Sequence, residues 1–128
     1  MEIEVEEKEG YHIVTPVGEL DIYTVPLFRK VVLKLEGDRR HDLILDLTRV
    51  TFIDSSGLGS LIEIFQKVQS VQGEIAYVVD NPRILKVFKL VDLDKVFPIF
   101  SNLGRALQDV GVTTGGGYVD EEFFSDLT

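Results

Sequence analysis

The run Leu43-Ile44-Leu45-Asp46-Leu47 constrains the fold of this 128-residue chain more than any other stretch. It is apolar at nearly every position instead of every second one, the pattern of a strand from Asp42 to Leu47 covered on both faces. Such a strand implies a partly parallel sheet with helices on at least one side, an α/β arrangement. A few residues on, Ile53-Asp54-Ser55-Ser56-Gly57-Leu58-Gly59 leads into Leu61, Ile62, Phe65 and Val68, which recur at helical spacing. Two hydroxyls therefore sit where a strand hands over to a helix. First-turn amides without partners and the helix dipole make that junction a seat for an anion. A bound ligand, a catalytic intermediate and a phosphate carried by one of the serines all satisfy it.

The flanking segments supply the rest of an α/β domain. Ile3 to Lys8 alternates apolar and charged, and Tyr11 to Val17 follows Glu9-Gly10, which predicts a β-hairpin with its first strand solvated on one face. Pro16 cannot donate a ladder hydrogen bond, so the second strand ends there or bulges. Gly18-Glu19-Leu20-Asp21 reads as a turn, and Thr24-Val25-Pro26 as a cap and first-turn proline for a helix striped by Leu27, Phe28, Val31, Val32 and Leu35, ending at Gly37-Asp38. The helix after the junction runs from about Gly57 to Gln72, its apolar face widened by Ile64 and Val71. A strand from Glu74 to Val79 follows, then a helix capped by Asn81-Pro82. Val96 to Phe100 forms a brief last strand, placed at an edge by Pro98, and Ser101-Asn102 caps a final helix through Gln108.

Composition removes several kinds of chemistry. With no cysteine there is no disulfide, thiol nucleophile or thiolate metal site. The acidic start, Met1-Glu2-Ile3-Glu4-Val5-Glu6-Glu7, is unlike a secretory signal, and no apolar run approaches a membrane span, so a cytoplasmic protein is expected. A net charge of -9 opposes binding to a nucleic-acid backbone and favours a protein partner. Beyond residue 110 lie four acids and no base, leaving 18 acids against 13 bases in residues 1–110. Thr113-Thr114-Gly115-Gly116-Gly117 is a flexible linker by composition, and the acidic peptide after it, with Phe123 and Phe124, reads as a disordered terminus in preference to a docking peptide.

Catalytic readings of the junction lack companions. A nucleophile elbow needs glycine two residues before the serine, where Ile53 stands before Ser55. His12 and His41 are the available bases, one in the hairpin and one in a charged turn. Gly57-Leu58-Gly59 has no third glycine at dinucleotide spacing, and no Walker lysine follows. Asp46 ends a buried strand as in a response-regulator receiver, yet Val17-Gly18 and Ser101-Asn102 stand where an acidic pair and a lysine are required. Serine as phosphate acceptor remains. Phosphorylation adds about −1.5 to −2 charges, which a helix start accommodates and an apposed partner surface does not. The device expected is a switch of binding with little change of fold.

Three blocks at matching spacing, Gly18-Glu19-Leu20-Asp21, Leu43 to Leu47 and Phe52 to Gly59, together with the Asn81-Pro82 helix and Val91-Asp92-Leu93-Asp94-Lys95-Val96-Phe97, closely resemble the bacterial anti-sigma-factor antagonists, single-domain members of the STAS superfamily. The resemblance implies a STAS fold over residues 1–110: a mixed central sheet of four to five strands, an N-terminal β-hairpin and about four helices packed on one side. Residues 111–128 are then a flexible Gly-rich acidic tail beyond the usual domain end. It further implies that Ser55 is phosphorylated by an anti-sigma factor that is itself a GHKL-type serine kinase. A metal-dependent serine phosphatase reverses the modification, and the unphosphorylated form binds the anti-sigma factor and frees the sigma factor. The partner-binding set it implies is Asp21, Asp54, Ser55, Ser56, Gly57 and Leu58, with no enzymatic activity and no cofactor. Within that set Asp21 reads the partner or forms its own turn, and Asp54 orients Ser55 or closes the loop. Ser56 caps the helix in preference to serving as a second acceptor, and Gly57 permits close backbone approach. The alternative is a STAS-type scaffold, or a nucleotide- or small-ligand-sensing module of another signalling complex; the oligomeric state is left open.

Overall fold

The computed structural model describes residues 1–36 and 42–110 and the backbone of 118–119. The chain begins with a hairpin of β1 (Glu2–Lys8) and β2 (Tyr11–Leu20). Glu9 and Gly10 both have positive φ, 53° and 89°, the handedness that a tight two-residue hairpin turn requires. Beyond half-buried Ile3, β1 is exposed on both faces, Val5 included, so it is wetter than its alternation predicts. Its glutamates leave a charged outer strand unsuited to pairing with a second sheet.

Five strands run parallel to β2 or to one another: β3 (Leu43–Asp46), β4 (Val50–Ile53), β5 (Ile75–Val78), β6 (Pro98–Phe100) and β7 (Tyr118–Val119). The sheet order is β1-β2-β3-β5-β6-β7, with β4 paired to β2. Among the described residues seven strands thus stand where four to five are expected, because β4 and β7 carry little sequence signal. β4 is four residues long, separated from β3 by a turn in which Asp46 Oδ1 accepts from Thr48 N and Oγ1. It takes up β2 where β3 leaves off: His12 to Val14 pair with β3, and Gly18 to Leu20 with β4. Pro16 falls in the gap between the two ladders, so β2 passes through it without a lost bond. Gly18, at φ +107°, absorbs the register shift on the way to β4. Consequently Gly18-Glu19-Leu20 is strand, and the turn begins only at Asp21.

Among the described residues four helices connect the strands: α1 (Val25–Glu36), α2 (Ser55–Ser70), α3 (Pro82–Leu90) and α4 (Leu103–Asp109), with a 3-10 turn at Leu93–Lys95. α1, α2 and α3 cover one face with Phe28, Val32, Leu61, Ile64, Phe65, Leu85 and Phe88, packed on Val14, Leu45, Tyr77 and Ile99. Ile64 is core. The expectation of all helices on one side is corrected by α4, which lies on the opposite face. There Ala106 closes a smaller core with Ile13, Ile44, Ala76, Val78 and Phe100. The cause is the alternation of side chains along each strand: a run apolar at every position buries both faces, and the second face needs its own cover.

Candidate functional site

The junction lies at the carboxyl ends of the parallel strands. β2 and β4 end together, Leu20 opposite Ile53, and the chain turns from Ile53 directly into α2. Asp54 is the hinge of this arrangement. Its extended backbone places it as the N-cap of α2; Oδ1 accepts from Gly57 N at 2.9 Å, and its carbonyl accepts from Leu58 N at 3.0 Å. Its amide donates to Leu20 O at 3.2 Å, and Oδ2 accepts from Ile22 N at 3.2 Å. Asp54 therefore closes the loop and caps the helix, and the assignment of the cap to Ser56 is corrected. An acid one residue ahead of the first helical turn captures the N3 amide before a hydroxyl inside that turn can.

Neither serine holds the cap. Ser55 is exposed as the first residue of α2 and Ser56 is half-buried. Among the described residues neither hydroxyl has a hydrogen-bond partner. Ser60, one turn on, is buried and donates to Gly57 O at 2.7 Å. Gly57 is fixed by sterics: a Cβ there would lie 2.3 Å from Leu20 O and 2.9 Å from Ile53 Cγ2, so the helix can sit this close to β2 only without a side chain. Leu58 is half-buried against the main core.

Asp21 forms the adjoining turn. Its Oδ1 accepts from Tyr23 N at 2.9 Å and Thr24 N at 3.1 Å, and its carbonyl accepts from Val25 N at 2.9 Å. Thr24 Oγ1 accepts from Asp21 N and donates to Glu19 O at 2.8 Å. This is the self-bonded turn of the two readings of Asp21. The turn carries Ile22 and Tyr23, 63% and 87% exposed; Leu27 in α1 and Phe52 in β4 are 46% and 50% exposed. The exposure of Ile22, Tyr23 and Phe52 has no marker in the apolar periodicity, and Leu27, expected in the buried stripe of α1, is exposed instead. The available signal was the apolar pair Ile22-Tyr23 inside a turn bounded by Asp21 and Thr24.

The histidine of β2 does not reach the serine. His12 is buried at the far end of that strand, its Nε2 3.6 Å from Glu7 Oε1. Eight residues of strand separate it from Leu20, about 26 Å at strand rise. His41 lies outside the described residues. Among the described residues no group of three or more His, Asp or Glu side chains could hold a metal ion, and no helix is long and apolar enough to cross a membrane. The site is an accessible hydroxyl at a capped helix start, flanked by two carboxylates already engaged with backbone amides and by an apolar rim.

Comparison with known proteins matches residues 2–106 to the STAS domain family. The chain is 30% identical over 115 residues to the anti-sigma F factor antagonist of Paenibacillus polymyxa, covering 89% of this chain and 98% of that protein. It is 29% identical over 98 residues to the anti-sigma-B factor antagonist of Listeria monocytogenes, covering 76% and 86%. Among solved structures, an anti-sigma factor antagonist from Mycobacterium paratuberculosis superposes with a TM-score of 0.79 at 30% identity, over 86% of this chain and 93% of that one.

Proposed function

Since this chain belongs to the STAS domain family, we propose that it is an anti-sigma factor antagonist switched by phosphorylation of Ser55. In its unmodified form the junction, with Asp21, Asp54, Ser55, Ser56, Gly57 and Leu58, docks on an anti-sigma factor and releases the sigma factor that protein had held. The anti-sigma factor is a GHKL-type serine kinase. It moves the γ-phosphoryl of ATP onto Ser55 Oγ; the O–P bond to ADP breaks, and the hydroxyl proton passes to a base of the kinase. A metal-dependent phosphatase hydrolyses the ester and restores the binding form. The chain itself performs no catalysis.

The observation that carries this reading is the division of labour at the start of α2. Because Asp54 holds the cap, the Ser55 hydroxyl has no structural duty and is exposed, so it can be esterified without dismantling the helix. The phosphate then meets first-turn amides and the positive end of the helix dipole, which stabilise it in place. A partner pressed onto the exposed Ile22, Tyr23, Leu27 and Phe52 would have to desolvate a dianion at the same spot.

Incubation with the GHKL-type kinase and ATP, followed by intact mass, should add one phosphate to the wild type and to Ser56→Ala and none to Ser55→Ala. Ser55→Asp should bind that kinase about tenfold or more weakly while melting close to wild type. Labelling of Ser55→Ala equal to wild type removes the proposal.

A further inference from the structure

We propose that Asp54 is a positioning residue that couples the state of Ser55 to the Ile22–Tyr23 turn; the inference rests on Ser55 being the phosphate acceptor. One carboxylate holds two pieces of chain, since Oδ1 accepts from Gly57 N in the first turn of α2 and Oδ2 from Ile22 N in the turn after β2. The turn is otherwise held by Asp21 Oδ1, which accepts from Tyr23 N and Thr24 N, and by Thr24 Oγ1, which donates to Glu19 O near the end of β2. The Asp54 contact is its side-chain tie to the helix that bears the serine.

A phosphate on Ser55 sets about −1.5 to −2 charges on the residue next to Asp54. The helix terminus offers only about half a positive charge to share between the two anions. Phosphate oxygens and carboxylate compete for the same first-turn amides, and their repulsion drives the carboxylate from its present position. Of its two bonds, that to Ile22 is the longer, 3.2 Å against 2.9 Å, and lies on exposed surface, so it is released first. The β2–β4 ladder and the core beneath are untouched. The turn that displays the most exposed apolar pair beside Ser55 thereby loses its outer tie while the fold persists.

The test uses the isotope-labelled chain with phosphoserine placed at position 55 during translation, and reads amide hydrogen exchange by NMR. The Ile22 amide is expected to exchange about threefold or more faster than in the unmodified chain, with the Leu61 amide inside α2 unchanged. In Asp54→Ser a single hydroxyl oxygen still caps Gly57 but no second oxygen reaches Ile22. Its exchange should be fast already, and phosphoserine should add nothing. If that variant folds poorly, Asp54→Asn retains one acceptor oxygen and carries the same expectation. Equal Ile22 exchange with and without phosphate overturns the coupling, as does a phosphate response that survives in either variant. No kinase enters this experiment, so failure of the kinase to label Ser55 refutes the functional proposal separately from the coupling.

Discussion

Two glycines two positions apart in α2 have opposite duties. A side chain at Gly57 would collide with the Leu20 carbonyl, a backbone atom that cannot yield without moving β2, whereas Gly59 faces open space. Gly57→Ala should therefore cost about 1 to 3 kcal/mol, through overpacking at the helix–sheet contact. Gly59→Ala should gain up to about 1 kcal/mol, because alanine loses less backbone entropy in a helix. Urea unfolding of both variants checks the pair, and equal midpoints would refute the steric account. Both glycines are plain in the sequence, and a close approach at Gly57 is anticipated there. The atom it approaches lies 37 positions earlier in the chain and is visible only in the fold. The serines follow the same rule. Two hydroxyls at a strand–helix junction are legible as a candidate site, but which residue caps depends on where the chain leaves β4.

At the scale of elements, the helix starts were the more readable features. Asn81 accepts from Arg83 N at 2.9 Å ahead of Pro82, and Asn102 from Arg105 N at 2.9 Å, as their sequence context predicts. Asn81→Ala should cost about 1 kcal/mol in chemical unfolding, and Ser55→Ala much less, since only the first removes a cap. A Ser55→Ala loss as large as that of Asn81→Ala would return the cap to the serine. Strands were less readable where they were short or irregular. Val50–Ile53 has exposed residues at its two middle positions and no alternation, so nothing local marks it as β4. Its pairing with β2 makes it a strand, and that pairing brings Asp54 beside Ile22. α1 and α2 are further joined by Arg29, whose Nε and Nη2 lie 3.0 and 2.6 Å from Glu63 Oε1. Their 34-residue separation hides this pair from any local pattern.

Over the whole molecule, the larger core is centred on an aromatic group. Tyr77 is fully buried and stacks on Phe97 with ring centres 4.1 Å apart; Phe65 and Phe88 pack around Phe97. Its hydroxyl donates to Leu61 O at 3.0 Å, and burial pushes the phenol well above its ordinary value. The phenolate form is the one penalised, so the unfolded chain loses this proton first as pH rises. Stability from Tyr77 is complete below about pH 10 and declines above it. Tyr77→Phe should lose about 1 kcal/mol near neutrality with its hydrogen bond, and its stability should fall less steeply than wild type above about pH 10. Urea midpoints across that range provide the check, and parallel curves would show that Tyr77 does not set the alkaline limb.

By itself the sequence determined the class of fold and marked the strand–helix junction as the candidate site. An uninterrupted apolar strand, helical spacing after it and capping residues ahead of the helices are local patterns, and local patterns follow from backbone geometry. Tertiary structure alone decided that α4 covers the second face, that β4 continues β2's ladder beyond β3, and that Asp54 rather than either serine secures the helix. Each depends on residues distant in sequence competing for one space or one hydrogen bond. Such competition is resolved only when the sheet assembles and brings Leu20 and Ile22 within reach of Asp54.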